Sequence, residues 1–192
     1  GHFLPEPFGV FEAARVHGLV LFERGDVRVR RELGIPPDAV VATMIARVTR
    51  TKGVLPFVAA ARAVRARCAK AHFLLIGPDD RDSLDRLDDR ELAELRANVT
   101  WPGRRDDVAA VLAASDLFVL PTAYREGIPR VLLEAAAAGL PLVTTDSPGC
   151  NEACAHEQNG LLVKVGDDDA LAAAILRLAE DTGLRARFAA TS

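Results

Sequence analysis

Short β-rich apolar runs alternate with helical patterns along most of this chain, and that alternation constrains the fold more than any other feature. "VVATMIA" (40–46) reads as a buried strand and "VLPFVAAARAVRARC" (54–68) as an amphipathic helix. A strand "HFLLIG" (72–77) and a helix "DRELAELRA" (89–97) follow, then a short strand "VTWPG" (99–103) and a helix over 106–114. "DLFVLPT" (116–122) is a strand, and the next helix begins near Pro129. "LPLVTT" (140–145) and "GLLVKV" (160–165) are strands. Leu171, Ile175 and Leu178 recur at helical spacing behind Asp167–Asp169, which suit a helix N-terminus, and a last helix pairs Leu184 with Phe188. Regular strand–helix alternation requires crossover connections, hence a mostly parallel sheet covered on both faces. The expected fold is a Rossmann-like, doubly wound α/β domain over 36–192. Residues 1–35 break the rhythm and are expected to be an irregular N-terminal segment, an interdomain remnant that ends at "RRELGIPPD".

Sheets of this kind bind ligands outside the carboxyl ends of their strands, near the point where strand order reverses. No GxGxxG follows the first strand and no GxxxxGK[ST] occurs, which argues against the dinucleotide fingerprint and the P-loop. After the first strand comes "ARVTRTKGV". Arg47 leaves the strand end, and Lys52 and Gly53 open the next helix. A cation at a helix N-terminus is unfavourable by roughly 0.3–1 kcal/mol unless an anion binds there. Two readings stay open: a pair of solvated surface cations, or a grip on a phosphate or diphosphate.

A second stretch, "REGIPRVLLE" (125–134), carries Glu126 and Glu134 with seven residues between them. Gly127 permits close backbone approach. Pro129 suits the first helical position, and Arg130 is again a cation at a helix start. Arg130 can pair with Glu134 at i, i+4 in the weaker orientation, so an intrahelical ion pair is the competing reading. The two carboxylates can stand roughly 10 Å apart, from a rise of ~1.5 Å per residue plus the loop. A ligand with hydroxyls at both ends and phosphates between them fits that spacing, as a sugar nucleotide does.

Other motifs carry less. Asp80/Asp82 and Asp167/Asp169 form literal D-x-D strings, but one reads as a loop and the other as a helix cap. Cys150, Cys154 and His156 resemble a zinc fragment without a fourth ligand at matching spacing. Cys68 falls on the apolar side of its helix with Phe57, Ala61 and Val64. The low, odd cysteine count of three suggests a reducing cytoplasm. With a net charge of −3, nothing suggests a nucleic-acid partner. No apolar run approaches the roughly 20 residues that span a bilayer, and no signal peptide is visible.

The combination of R-x4-KG with Glu-x7-Glu, carried by "ARVTRTKG", "FLLIG", "VTWPGRRDDVAAVLAASDLFVLPTAYREGIPRVLLEAAAAGLPLVTTDSPGCNE" and "NGLLVKVGDDDALAAAI", resembles the C-terminal, donor-binding domain of glycosyltransferase family 4, a retaining GT-B group. The "REGIPRVLLE" region looks especially like bacterial members that add hexose or N-acetylhexosamine units to lipid-linked glycans. The resemblance implies that the donor is a UDP-sugar and that Arg47 and Lys52 neutralise its diphosphate as it leaves. It implies that Glu126 contacts the sugar hydroxyls, that Gly127, Ile128 and Pro129 line the sugar, and that the helix start at Arg130 and Val131 faces the phosphates. Glu134 would bind the ribose, and Gly103 and Arg104 would lie at the base. Metal independence is implied as well, with cations in place of Mg²⁺ or Mn²⁺.

The resemblance further implies a second Rossmann-like domain, N-terminal to this one, that holds a glycan or polyprenyl-diphosphate-linked acceptor. Thirty-five residues cannot form it, so this chain reads as a donor-binding half. None of His2, His17, His72 and His156 matches a catalytic context. The intact enzyme is expected to be cytoplasmic, with peripheral association at the inner face of the membrane. Two competing readings are a nucleotide-sugar-binding module without transferase activity and a GT-B sugar-nucleotide epimerase.

Overall fold

The computed structural model describes residues 14–16, 19–21, 27–124 and 127–192. Strands β1 (Ala14–Val16) and β2 (Leu19–Leu21) form a small antiparallel sheet. The remaining elements run α1 (Val27–Glu32), β3 (Val40–Ile45), α2 (Val54–Arg65), β4 (Ala71–Ile76), α3 (Asp89–Asn98), β5 (Thr100–Gly103), α4 (Val108–Ala113) and β6 (Leu117–Leu120). They continue with α5 (Arg130–Ala137), β7 (Leu142–Thr145), α6 (Cys150–Ala153), β8 (Gly160–Val163), α7 (Asp168–Glu180) and α8 (Thr182–Ala189).

Strands β3 to β8 form one six-stranded sheet in the order β5-β4-β3-β6-β7-β8, with every pair parallel. This is the Rossmann-like, doubly wound α/β fold that the alternation predicts. Chain order reverses between β3 and β6, which places the topological switch point at the centre of the sheet.

Side-chain alternation divides the core between two faces. Ala42, Met44, Phe73 and Leu75 pack with Phe57, Val64, Leu95 and Ile175 from α2, α3 and α7. Val41, Leu74 and Ile76 point the other way, against Val29 of α1 and Ala110 and Val111 of α4. The helices start where their side chains supply acceptors. Asp88 and Glu91 form a reciprocal capping box on α3, Asp167 accepts from Ala170 N at 2.9 Å, and Asp181 accepts from Leu184 N at 2.8 Å.

Helix α1 lies within the segment expected to be irregular. It is fixed by tertiary bonds: Arg30 donates to the carbonyls of Ala39 (3.0 Å) and Ala114 (2.9 Å) and pairs with Asp116 at 2.8 Å. Asp116 also accepts from Val41 N, so this ion pair ties α1 to the amino end of β3. Among the described residues, no helix is long and apolar enough to cross a membrane.

Candidate functional site

At the switch point, the β3–α2 and β6–α5 loops leave the carboxyl edge of the sheet side by side. Gly53, the N-cap of α2, has φ +85°, and a Cβ built there would lie 2.1 Å from the carbonyl oxygen of Pro121. Only glycine permits both this conformation and this approach. The contact is reinforced on either side. The Thr51 carbonyl accepts from Ala123 N (2.9 Å) and from the Thr122 hydroxyl (3.1 Å). From the far side, the Thr145 hydroxyl at the end of β7 donates to the Thr122 carbonyl at 2.7 Å. A similar approach joins the ends of β3 and β4, where a Cβ on Gly77 (φ +154°) would lie 1.8 Å from the Ala46 carbonyl oxygen.

The cations sit on this frame. Arg47, two residues past β3, is well exposed and pairs with Asp80 at 2.6 Å. Lys52 is half-buried, and its ammonium lies 4.9 Å from the centroid of the Tyr124 ring. The base of the loop is held by Asp85, which accepts from Thr51 N at 2.8 Å and from the Thr51 hydroxyl. The hydroxyl bond, with the Thr51 amide and Arg50 adding to it, holds the Asp85 carboxyl below its ordinary range.

Helix α5 starts with neither a side-chain cap nor an acid in its first turn, and so does α2. Both helix N-termini at the switch point therefore present amide donors and positive dipole ends without an anion of their own. Pro129 does not occupy the first helical position. With φ −62° and ψ 118° it is the buried N-cap, and Arg130 begins the helix. The extended ψ turns the incoming chain away from the helix axis and buries the ring, which moves the start by one residue.

Gly127 and Ile128 are exposed in the preceding loop, Val131 is half-buried, and Glu134 is exposed one turn into α5. Arg130 and Glu134 form the i, i+4 pair, but at 3.7 Å and with Arg130 92 % exposed. Such a pair contributes about 0–1 kcal/mol and leaves the carboxylate available. Glu126 lies outside the described residues.

Gly103 and Arg104 stand at the exit of β5, two strands from β3. The Gly103 carbonyl accepts from Gly77 N at 3.0 Å. Arg104 is exposed, pairs with Asp106 at 3.2 Å, and shares with Arg47, Gly77 and Arg105 a hollow of about 300 Å³ above the ends of β3 and β4. Thus Arg47 and Arg104 line one concavity, while Lys52 and the 127–134 segment occupy the adjoining loops. Sequence reasoning missed Tyr124 and the partners Asp80 and Asp85 that fix the first loop. Tyr124 lay in view two residues before Glu126, but nothing in its spacing signals a lysine partner.

The weaker motifs resolve into structure. Asp80 is an arginine partner, and Asp167 is the α7 cap. His156 Nδ1 accepts from Leu162 N at 3.0 Å. Cys150 and Cys154 are buried, and burial, with a smaller contribution from Cys150, pushes the Cys154 thiol up to about 12. Cys68 is partly buried against the core. Among the described residues, no three His, Cys, Asp or Glu side chains gather as a metal site.

Comparison with known proteins converges on one family. The family model described as "Glycosyl transferases group 1" matches residues 39–181. The chain is 33 % identical over 162 residues to the lipopolysaccharide core biosynthesis glycosyltransferase LpsD of Rhizobium meliloti, covering 84 % of this chain and 45 % of that protein. It is 35 % identical over 153 residues to the N,N'-diacetylbacillosaminyl-diphospho-undecaprenol alpha-1,3-N-acetylgalactosaminyltransferase of Campylobacter jejuni, covering 78 % of this chain and 38 % of the relative. The chain therefore spans less than half the length of these relatives. Anabaena Alr3699/HepE, solved in complex with UDP-glucose, superposes with a TM-score of 0.76 at 26 % identity, over 86 % of this chain and 46 % of that one. With its sheet order, its switch-point loops and a family match across 39–181, this chain is a member of the glycosyl transferases group 1 family and has the Rossmann-like fold of one half of a GT-B glycosyltransferase.

Proposed function

We propose that this chain is the donor-binding domain of a retaining glycosyltransferase, taking a UDP-sugar and passing a hexose or N-acetylhexosamine to a glycan or a lipid-linked acceptor held by a second domain. The observation that carries this reading is the switch point, where the loop that bears Arg47 and Lys52 is clamped against the residues that follow β6, and where both of the next helices, α2 and α5, start without a side-chain cap or an acid. UDP-glucose bound to Alr3699/HepE and the undecaprenol-linked acceptor in the name of the Campylobacter relative support the donor and acceptor classes.

In this reading the α5 amides, Arg47 and Lys52 meet the diphosphate. Negative charge grows on the leaving nucleoside diphosphate as the glycosidic bond breaks, and fixed cations stabilise that growth more than they stabilise the ground state. Glu134 accepts from the ribose hydroxyls, and Gly103 and Arg104 lie toward the base. Glu126 receives the sugar hydroxyls, with the Gly127–Pro129 backbone lining the sugar. Attack from the face of the departing diphosphate, with a donor phosphate oxygen taking the acceptor's proton, retains configuration. The two cations fill the place that a divalent metal takes in other transferases.

The test is calorimetric titration of the 192-residue chain with UDP, ADP, GDP and UDP-sugars, with and without chelator. UDP binding that survives the chelator supports the reading. Failure of all three nucleotides to bind overturns it, and binding abolished by chelator overturns metal independence.

A further inference from the structure

We propose a second anion site, for a phosphate group carried by a small metabolite or a lipid headgroup, in the hollow where Arg65 and Arg96 converge between the ends of α2 and α3. It is separate from the switch point. His72 in its wall is the second residue of β4, five residues before Gly77, or roughly 16 Å along an extended strand.

The hollow measures about 410 Å³, is lined by Arg65, His72, Arg96, Asn98, Thr100 and Trp101 among others, and has no carboxylate in its wall. Both arginines are held in place by neutral groups. Arg65 donates to the carbonyls of Asn98 (2.6 Å) and Ala61 (3.3 Å). Arg96 lies 5.0 Å from the centroid of the Trp101 ring, and Trp101 Nε1 in turn donates to the Gly77 carbonyl at 2.9 Å. The neighbouring Arg62 is engaged by Glu94. Among the described residues, neither Arg65 nor Arg96 forms an ion pair with a carboxylate.

The bland reading is that these cations only offset the negative ends of two helices. The charges do not balance, because each helix end supplies about half a negative charge and the guanidiniums supply one positive charge each. An excess of about one positive charge remains. His72 reports the same excess: burial first, and then the charges of Arg65 and Arg30, lower its pKa. The Thr100 hydroxyl shares a hydrogen bond with His72 Nε2 at 3.0 Å, and when Nε2–H donates, the hydroxyl proton is free for a ligand. Two guanidinium forks and a hydroxyl suit the three or four oxygens of a phosphate better than the two of a carboxylate. The volume leaves room for the organic group that carries the phosphate.

Trp101 is the single tryptophan of the chain, so its emission reports on this hollow. The test titrates the parent chain, Arg96→Gln, Arg65→Gln and Arg47→Gln at constant ionic strength. The probes are inorganic phosphate, glycerol 3-phosphate, and phosphatidylglycerol vesicles compared with phosphatidylcholine vesicles. Soluble anions are followed by Trp101 emission and amide NMR shifts, and vesicles by cosedimentation. Affinity is read from midpoints rather than amplitudes, because Arg96→Gln itself alters the emission. Saturable binding is expected, weakened about tenfold in Arg96→Gln and Arg65→Gln and kept in Arg47→Gln. Arg96→Gln breaks none of the hydrogen bonds described, so it decides the matter if Arg65→Gln fails to fold. Binding of the soluble phosphates assigns a metabolite, and binding of phosphatidylglycerol vesicles alone assigns a lipid headgroup. Absence of saturable binding to every probe, or parental affinity in Arg96→Gln, would overturn the proposal. So would an equal loss in Arg47→Gln, which would put the anion at the switch point.

Discussion

Replacing Gly53 by alanine tests the frame on which the site stands. The left-handed backbone at φ +85° costs a non-glycine residue ~1–2 kcal/mol. The new Cβ would also lie 2.1 Å from the oxygen and 2.6 Å from the carbon of the Pro121 carbonyl. These are backbone atoms, so no rotamer change relieves the contact, and overpacking of this kind adds ~1–3 kcal/mol. The sum, ~2–5 kcal/mol, is a large part of a typical domain stability of ~5–15 kcal/mol. Gly103→Ala separates the two contributions, because its φ is +91° and nothing lies within 4 Å of the added Cβ. It should lose only the conformational ~1–2 kcal/mol. Urea denaturation of both variants measures the difference, expected to be about 1–3 kcal/mol greater for Gly53→Ala. Equal losses would mean that the loops separate freely and that the Gly53–Pro121 contact is not a constraint.

Further outcomes follow from other contacts. Glu134→Ala should weaken UDP and a UDP-sugar alike, by roughly ten- to a hundredfold for a lost hydrogen bond to a carboxylate, whereas Glu126→Ala should leave UDP nearly unchanged; isotherms for both ligands decide, and unaltered UDP affinity in Glu134→Ala refutes the ribose assignment. Arg30→Met removes the tie between α1, Ala39, Ala114 and Asp116, and should cost about 2–3 kcal/mol in urea denaturation because Asp116 loses its cation. Burial first, then Arg65 and Arg30, lowers the His72 pKa. The unfolded chain therefore takes up a proton first as pH falls, and the stability present above about 6.5 declines below it; His72→Gln should flatten that part of the profile of urea midpoint against pH. The 192-residue chain alone should transfer no sugar at the rates of intact enzymes, as a radiolabelled-donor assay would show.

The sheet was legible because each strand is a short apolar run between helices whose period is unmistakable. "VVATMIA" and "HFLLIG" became β3 and β4 with a shift of at most one residue at either end. The helix predicted over 54–68 stops at Arg65, where the chain turns back toward β4. Helix α1 was not legible. "VRVRRE" alternates like a strand, and its helical form depends on Arg30 reaching groups up to 86 residues away. The four-residue α6 is too short to leave a period. At the site, the unusual cations at helix starts were visible from residue type alone. Their companions were not: Asp80, Asp85 and Tyr124 come from other loops, and only the strand order brings them beside Arg47, Thr51 and Lys52.

The neighbouring of β3 and β6 also governs when the site can come into being. Ala42 pairs with Leu117 and Thr43 with Phe118, so the crevice joins strands separated by some seventy-five residues of chain. A nascent chain emerging from the ribosome can pair β3 with β4, and β4 with β5, early, but the second jaw of the crevice does not exist until β6 and α5 have been synthesised. The switch point is thus the high-contact-order part of the molecule, and its closure is expected to be a late, slow step of folding. A ligand that bridges the two jaws recognises only chains that have completed that step. It would therefore stabilise the finished fold in proportion to the logarithm of its concentration, and so act during synthesis as a thermodynamic selector for molecules whose central strands have met.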